Sequence, residues 1–323
     1  MHPNPVSQLQ QVQNVLQAPS GQRPNLLANG GFEVWQKGIS FPATGPNSYQ
    51  IDRWQTVGAG TGTLTLARDS ANADLASVYC ASATYAYVTG STLGLTQTVH
   101  PSEHQLKSLV VSFTIRVKTS VPNLVRPGLY DGNAWNFGAF HTGDGTYQTL
   151  FVNSITLQPI AFNVTPWQVG VWFGANAVSG LVYLDNAMLA VGSVPVDYVP
   201  LNPADDLARC QRYLQRYTGS GGALHLPWIG FSQSLTSAFY PVRYNPPMAV
   251  SPTLTVSALT DINVTNEQLS ATTPANFVQI NNGSNTHGLL QVGSAGNNGT
   301  TVGTPRGISA ANTNAWIQWE ANP

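Results

Sequence analysis

Apolar residues along this chain recur mostly with a period of two, or in short unbroken runs. Residues 60–67 (GTGTLTLA), 109–118 (LVVSFTIRVK) and 180–185 (GLVYLD) either alternate or stay apolar for a few positions. Gly, Pro, Asn and Asp bound each of them, as expected of buried or half-buried strands. Between about residues 25 and 200 no helical period persists for ten residues. Many short strands at regular spacing predict a jelly-roll β-sandwich rather than an α/β fold.

The period changes to that of a helix in two places. Ser7 can cap a short helix over residues 8–17, closed by Ala18–Gly21, with Leu9, Val12 and Leu16 on one face at a–d–a spacing and Val15 beside them. Two turns do not hold alone in water, so residues 1–24 are expected either to fray or, as a docking arm, to be ordered by a partner. The second helix starts at Asn202, a good N-cap, with Pro203 at the first helical position and Asp205 and Asp206 suiting the N-terminal dipole. Leu207, Cys210, Leu214 and Tyr217 form its apolar stripe, and Gly219 stops it. That stripe fits either its own chain or a symmetry mate. Beyond it, residues 228–232, 238–243, 252–257, 277–280 and 315–320 again read as strands, separated by Asn/Gly/Thr loops. The expected organisation is an arm (1–24), a jelly roll (25–200) and one amphipathic helix leading into a smaller β domain (201–323).

Composition narrows the function. Only 8% of the residues are charged, against about 25% in an average soluble domain, and Asn, Gln, Ser, Thr and Gly supply the polarity instead. No basic stripe favours nucleic acid. No apolar run approaches the roughly 20 residues that span a bilayer. The first residues lack the pattern of a secretory signal. Cys80 and Cys210 are too few for a disulfide framework.

Catalytic signatures are sparse. The glutamates are Glu33, Glu103, Glu267 and Glu320, and glycoside hydrolysis needs two converging carboxylates. No nucleophile elbow, phosphate loop or dinucleotide fingerprint occurs. His100 and His104 are separated by Pro101, and with His141 and Asp144 they match no zinc spacing. The chain is therefore expected not to be an enzyme.

Sugar recognition would need exposed flat rings flanked by amides or carboxylates. The segment Tyr130, Asp131, Gly132, Asn133, Ala134, Trp135 has that composition, in a turn. Trp35, Trp54, Trp167 and Trp172 are expected in the core, where aromatics dominate sandwich interiors. Contacts made by uncharged groups would depend little on ionic strength.

Several segments carry a resemblance. Residues 25–38 (NLLANGGFEVWQKG) followed by Asp52, Arg53 and Trp54 resemble the opening of bacteriophage tail-fibre and related virion surface proteins, whose β domain is similar to a carbohydrate-binding module. Residues 182–192 (VYLDNAMLAVG) resemble the last strand of that jelly roll. Residues 206–217, 239–248 and 252–256 resemble the segments that follow it in such phage proteins.

This resemblance implies a structural protein on the outer surface of a virion, of tail-fibre or head-fibre type. It would be attached to other virion proteins through its arm, would be homotrimeric, and would contact host cell-surface glycan. A trimer seam would use Leu9, Val12, Leu16, Leu207, Leu214 and Tyr217. A capsid decoration protein without receptor binding is the alternative, and a polysaccharide depolymerase a more distant one. No cofactor is required, but positions like Glu33 and Asp185 hold a structural calcium in the resembling modules, completed by backbone carbonyls. Neither nucleic acid nor membrane insertion is implied.

Overall fold

A computed structural model describes residues 24–74, 77–100, 105–159, 166–219, 225–265, 272–281, 283–294, 302–312 and 314–321. Leu9, Val12 and Leu16 of the expected arm lie outside the described residues. The chain forms two compact units, Met1–Leu207 and Ala208–Pro323. It is mainly β, as its periodicity predicts, and no described helix is long and apolar enough to cross a membrane.

The first unit holds β1 (Ser40–Thr44), β2 (Ser48–Ile51), β3 (Trp54–Ala59), β4 (Thr63–Asp69), β5 (Cys80–Ala86), β6 (Thr92–Val99), β7 (Val110–Lys118), β8 (Val125–Tyr130), β9 (Trp135–Phe137), β10 (Tyr147–Thr156), β11 (Trp167–Phe173) and β12 (Gly180–Val191). They form two six-stranded antiparallel sheets, ordered β1-β4-β5-β12-β7-β10 and β2-β3-β6-β11-β8-β9. One core lies between them. β7 contributes Val111, Phe113, Ile115 and Val117, and β11 contributes Trp167, Val169, Val171 and Phe173. Each set is every second residue, which is how a pleated strand buries one face.

Residues 25–34 form no strand, yet they lock the sandwich. The Asn25 side chain donates to Ala187 O (2.9 Å) and accepts from the backbone N–H groups of Leu27 and Leu189 (3.1 Å each). Leu26 N–H donates to Leu189 O, and Ala187 N–H to Gly30 O. A Cβ at Gly30 would stand 2.3 Å from Ala187 O, so only glycine permits this approach. The contact falls where β12 shifts register, between Asp185 and Met188. Asn29, at φ 53°, turns the chain and binds Val34 and the carbonyl of Asp52, while its own carbonyl accepts from the Trp54 indole. The motif that carries the resemblance thus has a mechanical role.

Helix α1 (Pro203–Gln211) begins as predicted. The Asn202 side chain accepts from Ala204 N–H (3.0 Å), and Asp205 and Asp206 stand in the first turn. It ends earlier than its stripe implies. Tyr213 N–H closes a turn onto Cys210 O, and residues 214–218 form β13 (Leu214–Thr218). Leu214 and Tyr217 therefore share no helical face with Leu207 and Cys210. Leu214 is 3% exposed, Tyr217 packs edge-on against Trp319 (5.6 Å), and Leu207 is 37% exposed. Cys80 and Cys210 are buried and form no disulfide.

The rest of the second unit comprises β14 (His225–Ser234), β15 (Ser237–Arg243), β16 (Thr253–Val256), β17 (Ile262–Thr265), β18 (Thr272–Asn281), β19 (His287–Ser294), β20 (Pro305–Ala310) and β21 (Trp316–Glu320). β13-β21-β16 is a three-stranded sheet, and β14-β15-β19-β18-β17-β20 closes into a barrel. Tyr240, Val242, Leu290, Val292, Ile308 and Trp319 are at its core.

Candidate functional site

The second sheet of the sandwich turns one face away from the core. On β11 the core takes Trp167, Val169, Val171 and Phe173, so Gln168, Gly170 and Trp172 face outward. Register carries this face across the neighbours. Trp172 pairs with Gly94 on β6 and Arg126 on β8, while Tyr130 pairs with Trp135 and Gly128 with Phe137 on β9.

The indole of Trp172 lies across the sheet. A Cβ at Gly94 would meet its ring at 2.9 Å, and one at Gly128 would meet it at 2.8 Å, so these two glycines form its floor. Trp135 stands edge-on to Trp172, with centroids 4.8 Å apart and planes at 72°. It also stacks with Phe137 (5.9 Å, 13°) and leans on Tyr130 (5.6 Å). The Arg126 guanidinium carbon sits 3.8 Å from the Phe137 ring centre and 5.1 Å from that of Phe140. The result is an aromatic plate, partly open to solvent, with one cation on it. A shallow pocket of about 330 Å³, lined by Asn136, Phe137, Gly138, Phe151, Asn153 and Ile155, adjoins Phe137.

Structure brings Tyr130 and Trp135 together as expected, and it redefines their neighbours. Asp131 is turned inward to its own hairpin. Its Oδ1 accepts from Asn133 and Ala134 N–H (2.8 Å each), and its Oδ2 from the Asn136 amide (3.2 Å). Asp131 thus builds the turn that presents Trp135, and Asn133 is exposed in that turn. Trp172, expected in the core, belongs to the plate. Strand parity could have placed it there, since it lies one residue off the Trp167–Val169–Val171–Phe173 set. Trp54 and Trp167 are buried as predicted, whereas Trp35 is half-buried against Phe41.

A second concavity, about 830 Å³, is lined among others by Glu33, Asp74, Arg116, Asp197, Tyr198 and Asp206. Arg116 Nε pairs with Asp74 Oδ2 at 2.6 Å. Behind it Asp185 is fully buried, and its carboxylate accepts from Asp74 N–H (2.9 Å), Asn186 N–H (2.7 Å) and the Ser77 hydroxyl (3.1 Å). Burial nevertheless raises its pKa to about 7 against those hydrogen bonds, and the neighbouring Asp74 charge adds to the rise.

Glu33 Oε1 accepts from Val78 and Tyr79 N–H at 2.7 and 3.3 Å. Glu33 and Asp185 thus flank the 77–79 segment, each facing hydrogen-bond donors. Calcium requires converging oxygens, so this donor-rich arrangement does not fit the calcium site that the resemblance implies. Among the described residues no group of three or more His, Cys, Asp or Glu could hold a metal ion. His141 is buried in a backbone cage, with Nδ1 accepting from Gly143 N–H and Nε2 at 3.0 Å from Val117 O.

No family model and no curated protein matches this chain. Solved structures do. A cyclase from Fischerella sp. TAU is 16% identical (TM-score 0.35), covering 52% of this chain and 96% of its own. TmCBM61 in complex with beta-1,4-galactotriose is 16% identical (TM-score 0.35), covering 52% and 99%. The enzymatically active domain of bacteriophage CBA120 tailspike protein 4 is 13% identical (TM-score 0.34), covering 52% and 21%. The expectation that this chain is not an enzyme is corrected here, because a cyclase and an enzymatically active domain stand among its matches. At such identities no activity or ligand passes from them to this chain.

Proposed function

We propose that this chain is a glycan-binding protein of the outer surface of a bacteriophage particle. The observation that carries the glycan reading is the aromatic plate of Trp172, Trp135, Phe137 and Tyr130 on one sheet face. Flat rings complement the C–H faces of sugars, and Asn133, Gln168 and the Arg126 guanidinium stand on the same face or at its rim to meet hydroxyls. The virion placement is supported by the order of the motifs at residues 25–38, 182–192 and 206–217, which resembles phage fibre proteins. In this reading residues 1–24 dock to other virion proteins, and Leu9, Val12 and Leu16 contribute a homotrimer seam. Leu214 and Tyr217 contribute none, since both serve the core of the second unit. Trimeric display would raise avidity by about 10²–10⁴ over a single site.

The test is binding of the purified full chain to an array of bacterial surface glycans, followed by titration of the best ligand. Trp135→Ala is expected to weaken binding at least tenfold, about 1.4 kcal/mol, while the β fold is retained by circular dichroism. Absence of any glycan binding, together with capsids weakened when the protein is missing, would overturn this reading in favour of a decoration role.

A further inference from the structure

Arg126 is the one charged side chain among the outward positions of β3, β6, β8, β9 and β11. Its companions there are Gln55, Thr92, Thr96, Thr98, Gln168 and Tyr130, with Gly, Val, Ala, Trp and Phe at the rest. No carboxylate balances it among the described residues. Burial alone acts on its pKa, pulling it below the usual arginine value, and no acidic group raises it. Compare Arg116, whose pKa is raised by Asp74.

The Arg126 Nε is buried without a hydrogen-bond acceptor, and so is the Trp172 Nε1 next to it. An unmet buried donor destabilises the fold, and a methionine and a phenylalanine at these positions would avoid that cost. The fold gains little from a cation held there. An anion arriving beside the plate gains a guanidinium already oriented by Phe137 and partly stripped of water, in which state a charge-assisted pair is strong.

We infer that the glycan bound on this face is acidic, with a sugar carboxylate paired to Arg126 while the ring stacks on the plate. This rests on the glycan-binding reading above. A uronate or a nonulosonate supplies both parts in one residue, a flat apolar face and a carboxylate at its edge. Contacts made only by uncharged groups would be insensitive to salt, whereas an arginine–carboxylate pair at a half-open site is screened as ionic strength rises.

The experiment uses the full chain and two probes that differ only at the acid: oligogalacturonate, and the same oligosaccharide with its carboxyl groups reduced to alcohols. Wild type is expected to bind the acidic probe at least about tenfold more tightly, and to lose affinity between about 0.05 and 0.5 M salt. Arg126→Met keeps the apolar stem over Phe137, so it should abolish the preference, with the acidic and the reduced probe bound to within about twofold of each other. Equal binding of both probes by wild type would overturn the acidic assignment and leave the glycan reading standing. Acidic preference surviving in Arg126→Met would place the anion elsewhere and overturn the role of Arg126. Binding of neither probe, with neutral glycans alone retained on the array, would also overturn the acidic assignment, whereas an array without any binding would sink both readings.

Discussion

Asn25→Ala is expected to destabilise the sandwich by at least about 3 kcal/mol, although the residue touches no cavity and sits outside every strand. Its amide joins the chain's opening segment to β12 by one donated and two accepted hydrogen bonds, all to buried backbone groups. Alanine removes all of them at once. Leu27 N–H, Leu189 N–H and Ala187 O are then left without their partner, each costing about 1–3 kcal/mol if water cannot reach it. The effect is large because Leu26 and Gly30 pair with Leu189 and Ala187 in the same clasp, so they lose alignment together. Urea denaturation followed by tryptophan fluorescence checks it, since Trp54 hangs from Asn29 in the same segment. The control is Asn133→Ala at an exposed turn, expected within about 0.5 kcal/mol of wild type. A shift for Asn25→Ala no larger than the control's would mean the clasp does not hold the sandwich.

That clasp also marks where the sequence ceases to be readable. Period-two patterns gave the strands well, because alternation is a local consequence of the pleat: residues 109–118 became β7 and 315–320 became β21, each within a residue or so. What failed depended on distant partners. Leu207, Cys210, Leu214 and Tyr217 fit a helical stripe, but residues 214–218 also pair in full register with β21, about a hundred positions away. That pairing, with Leu214 buried beneath it, overrode the helical spacing.

The candidate site shows the same division. Trp135 was recognisable by its turn, but Asp131 beside it proved to be the turn's clamp, since composition cannot tell an inward from an outward carboxylate. Trp172 was assigned to the core for being large and apolar, and parity within β11 overrules that. Glu33 and Asp185 do lie near one another in space, on either side of residues 77–79. Only the direction of the surrounding donors, invisible in sequence, separates two carboxylates that each accept hydrogen bonds from a cation site.

Stability should fall as pH rises from about 4 to about 7, the reverse of ordinary acid denaturation, as far as two buried carboxyls govern it. Asp52 is raised to about 6 and Asp185 to about 7, both chiefly by burial. The folded state therefore holds these protons more tightly than the unfolded chain, where an aspartate releases its proton near 3.8. Their contribution is fully present below the unfolded value and is lost as pH climbs through the folded one. A rise of roughly two units for Asp52 is worth about 3 kcal/mol, and roughly three units for Asp185 about 4 kcal/mol.

Chain geometry makes Asp185 the more telling of the two. It sits under the Asp74–Arg116 pair, and its own ionisation places a second negative charge beside Asp74. Asp185→Asn cannot ionise, so its urea midpoint should change less between pH 4.5 and pH 8 than that of wild type. The Asp74 and Asn186 N–H groups bind different carboxylate oxygens, so Asn, with one acceptor oxygen, loses one of these bonds at every pH; because it escapes ionisation, the variant should still be relatively better off at pH 8 than at pH 4.5. Asp52→Asn should flatten the lower part of the same window, since its folded value lies nearer 6. Parallel wild-type and Asp185→Asn midpoints across that range would show that Asp185 ionises at an ordinary pH, with its three hydrogen bonds outweighing burial.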